Sequence, residues 1–104
     1  MVLQRGDIIA FRYPQDPSKG YIKRLIGMPG DTVEIRAGEV WVNGVKLTEP
    51  YLDPNLNLSR RSLPPVRIPQ ESYYVLGDNR DNSSDSRIWG VVPAELVYEK
   101  VLLH

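Results

Sequence analysis

A polar segment between two apolar ones is the strongest constraint on how this chain folds. Residues 77–87, GDNRDNSSDSR, carry almost only hydroxyl, carboxylate, amide and guanidinium side chains. Such a segment does not form a core strand, because each buried polar group needs a hydrogen-bond partner. It follows an apolar strand predicted at 73–76 and precedes another predicted at 88–92. The sequence therefore predicts a loop between core strands whose side chains bond to one another and to a neighbouring element.

The expected neighbour lies upstream, in the segment YIKRLIGMPGD at 21–31. There Lys23 is embedded in an apolar strand that ends at the Pro29-Gly30 turn. Periodicity alone favours a solvated lysine on the polar face of this strand, since lysines are rarely fully buried unless paired. The alternative is a desolvated lysine, because burial disfavours the ammonium form and a neutral amine can take a proton from a serine hydroxyl.

The remaining pattern predicts a single all-β domain over residues 1–104. Asn43-Gly44 and Ala37-Gly38 are typical of tight hairpin turns. Pro93 begins one predicted helical turn at 93–96. Residues 48–71 hold five of the nine prolines and predict an irregular loop or insertion. The other predicted strands cover residues 7–13, 21–26, 32–36, 39–42, 45–47 and 97–103.

Composition removes several classes of function. Thirteen basic and thirteen acidic residues balance, so no electrostatic argument supports a nucleic-acid partner. Cysteine is absent and the only histidine is His104 at the terminus, which gives no basis for a metal site, a cofactor site or a histidine triad. Residues 81–86 loosely suggest a calcium loop but lack its glycine and its distal glutamate. No apolar run approaches the roughly 20 residues that cross a bilayer.

Three segments carry a resemblance to a known family. Residues 23–31 match the pattern K-R-x-x-G-x-P-G-D, residues 77–87 match G-D-N-R-D-N-S-x-D-S-R, and residues 5–11 resemble the strand that precedes the lysine strand. Together they resemble the bacterial type I signal peptidases, membrane-bound Ser/Lys proteases that remove signal peptides from exported proteins. The implied fold is signal-peptidase-like, similar to the repressor autoproteases: a coiled sheet or partly open barrel of antiparallel strands with a long Pro-rich loop.

The resemblance implies a role for each matched residue at the site. Lys23 takes the position of the general base, and Ser83 that of the serine which hydrogen-bonds and orients it. Gly77 is expected to allow a close approach that a side chain would block.

Two supporting ion pairs are also implied. Arg24, on the opposite face of its strand from Lys23, is expected to pair with Asp78. Asp85 and Arg87 are expected to form a pair that fixes the loop.

Substrate contacts follow from the same resemblance. The family binds an extended peptide along the lysine strand, with small residues before the cleaved bond. Tyr21 and Ile22 would contact this peptide, and Ala10 would help to line a small pocket. Strand addition suits such binding, because main-chain hydrogen bonds give affinity and pockets read alternate side chains.

One departure from the family concerns the nucleophile. The family uses a serine directly followed by methionine, but Met1 and Met28 are the only methionines here and neither follows a serine. The expectation is a soluble fragment without nucleophile or membrane anchor, inactive alone and prone to self-association through an uncovered edge. Its parent protein would act on signal peptides at the outer face of the bacterial cytoplasmic membrane.

Two other interpretations stay open from the residues. The chain could be a non-catalytic β-module that binds peptides or self-associates. It could also be related to the Ser/Lys autoprotease domains of self-cleaving repressors, although the segment at 77–87 favours the peptidases. The sequence upstream of Met1 would separate the first alternative from a peptidase.

Overall fold

The computed structural model describes residues 1–102 and consists of two antiparallel sheets with short helical turns. The nine strands are β1 (Ile8–Tyr13), β2 (Asp16–Gly27), β3 (Thr32–Arg36), β4 (Glu39–Val42), β5 (Val45–Lys46), β6 (Leu63–Arg67), β7 (Ser72–Leu76), β8 (Val92–Pro93) and β9 (Val97–Val101). One helix, α1, covers Ser86–Trp89, and 3₁₀ turns occupy Pro54–Leu56, Arg80–Asn82 and Ala94–Leu96. The predicted all-β class with antiparallel strands is confirmed.

The strand order is β8-β7-β2-β1-β9 in the first sheet and β5-β4-β3-β6 in the second. Both sheets have free edges, so the described strands do not close into one barrel. Around Leu25 and Ile26 the first sheet is buried on both faces, since successive side chains of a strand point to opposite sides. Leu25 packs into a core with Ile9 and Phe11, while Ile26 packs with Val33 of the second sheet. The strand that carries Lys23 is therefore anchored in two cores.

Both predicted hairpin turns are present, at residues 37–38 and 43–44. Ala37 and Gly38 both have positive φ, 49° and 81°, and join β3 to β4. Asn43 and Gly44 repeat this geometry with φ of 53° and 80° and join β4 to β5. Two consecutive positive φ angles are those of a type I′ turn, whose twist matches that of the strands it joins.

The prediction of a strand at 88–92 was wrong. The chain forms α1 there, and strand pairing resumes only at β8. The Asp85 carboxylate accepts a hydrogen bond from the Arg87 N–H at 3.1 Å and so caps the start of the helix. Gly90, with φ of 89°, ends it. A local cap therefore overrides the apolar pattern.

Residues 48–71 are less irregular than the prolines indicate. They contain β6, which pairs antiparallel with β3 through Thr32↔Arg67 and Val33↔Val66. A strand with adjacent prolines is possible here because β6 is an edge strand, and the register shifts next to them.

Several element bounds differ from those predicted. β2 begins at Asp16 rather than 21, across a tight turn at Pro14 and Gln15, and β5 ends at Lys46. The helical turn near 93–96 is present as a 3₁₀ turn with Pro93 as its N-cap. β9 ends at Val101, and residues 103–104, including His104, lie outside the described part of the chain. Within residues 1–102, no helix has the length and apolar character to cross a membrane.

Candidate active site

Lys23 and Ser83 meet in space although 60 residues separate them. Lys23 lies on β2, half-buried, and its Nζ donates a hydrogen bond to Ser83 Oγ at 3.1 Å. The same Nζ lies 5.8 Å from the centroid of the Tyr21 ring. None of the ion pairs within residues 1–102 includes Lys23. The amine is thus held by a neutral hydroxyl rather than by a carboxylate.

Gly77 makes this meeting possible by leaving space. A Cβ built at position 77 would overlap Ser83 Oγ and would lie 2.7 Å from Ser83 Cβ and 3.4 Å from Lys23 Nζ. Gly77 does not have a positive φ, so its backbone conformation does not require glycine. Any larger residue would displace the serine from the lysine.

Asp85 is the buried anchor of the loop at 77–87. Its side chain is fully buried and accepts hydrogen bonds from Arg87 Nε at 2.9 Å, Arg87 Nη2 at 2.8 Å and the Gly77 N–H at 3.0 Å. Burial raises the pKa of Asp85, but these hydrogen bonds and the Arg87 charge outweigh it and hold the pKa below its usual value. The ionised carboxylate of Asp85 therefore fixes the backbone of Gly77, which lies directly beside Ser83.

Arg24 forms the second predicted pair. Its guanidinium binds Asp78 through two hydrogen bonds, 2.9 Å from Nε and 2.8 Å from Nη2, and donates a third to the Gly6 carbonyl at 2.8 Å. It also lies 3.8 Å from the centroid of the Tyr51 ring. The hydrogen bond with Asp78 raises the pKa of Arg24 further above its already high value. This pair joins the lysine strand to the start of the loop.

A third ion pair escaped the sequence analysis. Arg80 binds Glu49 with contacts of 2.6 Å and 3.1 Å, and both side chains are more than 90 % buried. Tyr51 donates to the same Glu49 at 2.6 Å, and Arg80 Nε donates to the Gly77 carbonyl at 2.8 Å. Arg80 stands in the polar segment and could have been singled out there. Glu49 lies in the Pro-rich stretch, where no local pattern indicates burial.

Ser86 was also missed. Its buried Oγ accepts a hydrogen bond from the Val75 N–H at 2.9 Å and ties the loop back to β7. The sequence has serines at positions 83, 84 and 86, and no pattern in it distinguishes Ser86 from the other two.

A small cavity of about 290 Å³ opens beside Lys23. The lining residues are Ile8, Ile22, Lys23, Arg24, Gly77, Asp78, Asn79, Asn82 and Ser83. Of the three residues expected to contact substrate, the structure places only Ile22 on this lining, and 61 % of that residue's surface is exposed. Tyr21 instead stacks on Tyr13, with ring centroids 4.6 Å apart, and Ala10 is buried beside Ile22 on β1.

The edge of β2 next to Lys23 is open. β7 pairs with β2 only through Arg24↔Leu76, Leu25↔Val75 and Gly27↔Tyr74. Within the described residues, the earlier part of β2, including Ile22 and Lys23, pairs with β1 alone. This edge presents unpaired main-chain groups to an extended peptide.

Comparison with known proteins gives one consistent family. The family model described as signal peptidase, peptidase S26, matches residues 1–103. A probable signal peptidase I-1 of Synechocystis is 41 % identical over 99 residues, covering 88 % of this chain and 49 % of that protein. The signal peptidase I of Leptolyngbya laminosa is 39 % identical, covering 96 % and 51 %. The chain therefore spans about half the length of the curated relatives it matches.

A solved structure agrees in fold. The crystal structure of a signal peptidase I from Enterococcus faecalis has a TM-score of 0.82 and 37 % sequence identity to this chain. The match covers 99 % of this chain and 98 % of that one.

Proposed function

The chain belongs to the signal peptidase family, peptidase S26, and we propose that it supplies the base half of a Ser/Lys endopeptidase site that cleaves signal peptides from exported proteins. The observation that carries this proposal is the 3.1 Å hydrogen bond between Lys23 Nζ and Ser83 Oγ. In this role Lys23 accepts the proton of the attacking serine, and Ser83 holds the amine in place.

The surroundings of Lys23 support its role as a base. Its strand neighbour Arg24 binds the nearby carboxylate of Asp78, while Lys23 Nζ bonds to the Ser83 hydroxyl and lies near the Tyr21 ring. No ion pair within residues 1–102 occupies the amine, so a serine hydroxyl can be brought within hydrogen-bonding reach of it.

Substrate binding by strand addition fits the open edge of β2. A peptide paired with Ile22 and Lys23 would lay its backbone against the cavity that contains Lys23 Nζ. The cavity, of about 290 Å³, would receive the side chain that precedes the cleaved bond. Gly77 and Ser83 line the same cavity as Lys23, so the peptide bond to be cleaved would lie close to the base.

The nucleophile is assigned to none of the serines in residues 1–104. No serine here precedes a methionine, and Ser83 is already bound to the base. We assign the nucleophile to a Ser-Met segment joined ahead of Arg5, in a protein held at the outer face of the bacterial cytoplasmic membrane. Residues 1–104 alone are then expected to be inactive, since losing oxyanion-binding donors alone costs about 10²–10³ in rate.

The test is cleavage of a fluorogenic signal-peptide substrate. Residues 1–104 should show no turnover, and fusion to a Ser-Met segment should restore it. In the fused protein Lys23→Ala should reduce the rate by about 10²–10⁴-fold. Lys19→Ala is the matched control, because Lys19 lies on the same strand with its side chain 63 % exposed.

Two outcomes would contradict parts of this proposal. Turnover by residues 1–104 alone that is lost in Ser83→Ala would make Ser83 the nucleophile. Peptide binding without cleavage, even after the Ser-Met segment is added, would favour a non-catalytic peptide-binding module that uses the same open edge.

A further inference from the structure

A second and larger cavity borders Ser83. Its volume is about 700 Å³, within the range of about 300–1,000 Å³ typical of ligand pockets. The walls come from the β3–β4 turn, residues 57–63, the polar loop and α1. Ser83 lines both this cavity and the smaller one that contains Lys23, so the two are adjacent at the candidate active site.

The sheet determines where a bound peptide must turn. A peptide paired with Ile22 and Lys23 cannot continue along β2, because β7 occupies that edge from Arg24 onward. It must leave the sheet where β7 ends, at Gly77 and the polar loop. Ser83 stands at that point, and the larger cavity begins there.

The walls of the larger cavity are partly apolar. Leu58 and Ile88 line it with 65 % and 72 % of their surfaces exposed. Ile35 and Leu63 add apolar surface from β3 and β6. Large exposed aliphatic side chains in a concave site are typical of a surface that another molecule covers.

Among the ion pairs of residues 1–102, the lining has one cation without a carboxylate partner, Arg61, and one carboxylate without a cationic partner, Asp81. Arg80 and Arg87 are neutralised by Glu49 and Asp85. The carboxylate of Asp81 accepts hydrogen bonds from two backbone N–H groups, 2.7 Å from that of residue 58 and 3.0 Å from that of residue 59, which fix its position beside Leu58 but leave its negative charge. Arg61 is exposed and forms no ion pair within residues 1–102.

We propose that this cavity binds the residues that follow the cleaved bond, with an apolar side chain against Leu58 and Ile88 and an acidic side chain on Arg61. The inference rests on the proposed function, because it takes the direction of the peptide from it. Arg61 then determines specificity for the start of the released protein and plays no part in the chemistry.

Binding to the 104-residue chain tests this without any need for turnover. Two blocked peptides share alanine at the first and third positions before the bond and leucine directly after it. After that leucine, one peptide carries two glutamates and the other carries two lysines, and this is the only difference between them. In a titration followed by NMR, the amide signals of Ile22 and Lys23 should shift with both peptides. The amide signals of residues 58–61 and 88 should shift most strongly with the glutamate peptide. The glutamate peptide should bind about two- to fivefold more tightly, the range of an exposed ion pair.

Charge reversal supplies the matched controls. Arg61→Glu should invert the preference between the two peptides, whereas Arg67→Glu, an equal charge change on the exposed β6, should leave it unchanged. Equal binding of the two peptides, or shifts that stop at Lys23, would overturn this inference and leave the proposed function intact. Absence of shifts at Ile22 and Lys23 as well would count against both.

Discussion

The space left by Gly77 gives a prediction whose size follows from the structure. In Gly77→Ala the new methyl group overlaps Ser83 Oγ and lies 2.7 Å from Ser83 Cβ, so Ser83 or its backbone must move. Overpacking of this kind costs about 1–3 kcal/mol. For a domain of about 100 residues this lowers the Tm by about 4–8 °C for each kcal/mol.

The clash predicts a graded rescue by changes at Ser83. Ser83→Ala removes the Oγ overlap but keeps the Cβ at 2.7 Å, whereas Ser83→Gly removes both. In double-mutant cycles the coupling with Gly77→Ala should be favourable for Ser83→Ala and larger for Ser83→Gly. Gly20→Ala is the control, because its Cβ would meet only the Tyr98 hydroxyl at 3.0 Å, on an exposed side chain that can move.

The assay is urea unfolding of the 104-residue chain, followed by circular dichroism. Additive free energies in both cycles would refute the steric argument. A Gly77→Ala variant as stable as the original protein would refute it too.

Three further predictions concern buried titratable groups. Asp85→Asn should lower the free energy of unfolding by about 3–5 kcal/mol at pH 7, because it leaves Arg87 without its counter-charge. Since the pKa of Asp85 is lowered, the difference in stability between variant and original should shrink as the pH falls below about 4. An equal difference at pH 3 and pH 7 in urea unfolding would contradict this. Glu49→Gln should cost a similar amount in the same assay, whereas Glu39→Gln, in an exposed pair, should cost less than about 1 kcal/mol; equal losses would show that burial does not matter. Burial and the Asp85 charge raise the pKa of Tyr74 to about 12, so the contribution of the protonated Tyr74 to stability should be lost as the pH rises above about 10. Tyr74→Phe should make stability depend less on pH in that range. Alkaline unfolding that is the same in the variant would contradict the raised pKa.

Local chemistry explains which parts of the fold were predictable. The hairpins follow from Gly38 and Asn43-Gly44, whose positive φ angles suit those residues. The loop at 77–87 follows from its density of polar groups. By contrast, β6 was hidden because adjacent prolines usually interrupt strands, and it exists only because an edge strand pairs on one side. α1 was hidden because one carboxylate, Asp85, begins it against the apolar pattern.

Distance along the chain explains what was missed at the site. The motif positions identified Lys23 and Ser83, and the structure brings their side chains together. Glu49 is separated from Arg80 by 31 residues and stands in a segment without periodicity. A buried ion pair of that kind depends on tertiary packing, so Glu49 carries no local signal of it, and the polar segment indicates Arg80 without indicating its partner.

The contacts that position Lys23 and Ser83 are made by other residues. Leu25 and Ile26 anchor the lysine strand in two cores, and Asp85 and Arg80 hold the Gly77 backbone beside Ser83. The hydrogen bond between lysine and serine is therefore a result of this framework rather than a cause of it. The framework lies wholly within the described residues, and it holds Lys23 Nζ against Ser83 Oγ without help from any other segment. In the function we propose, a Ser-Met segment would have only to dock against this preformed arrangement, which costs less than ordering both halves together.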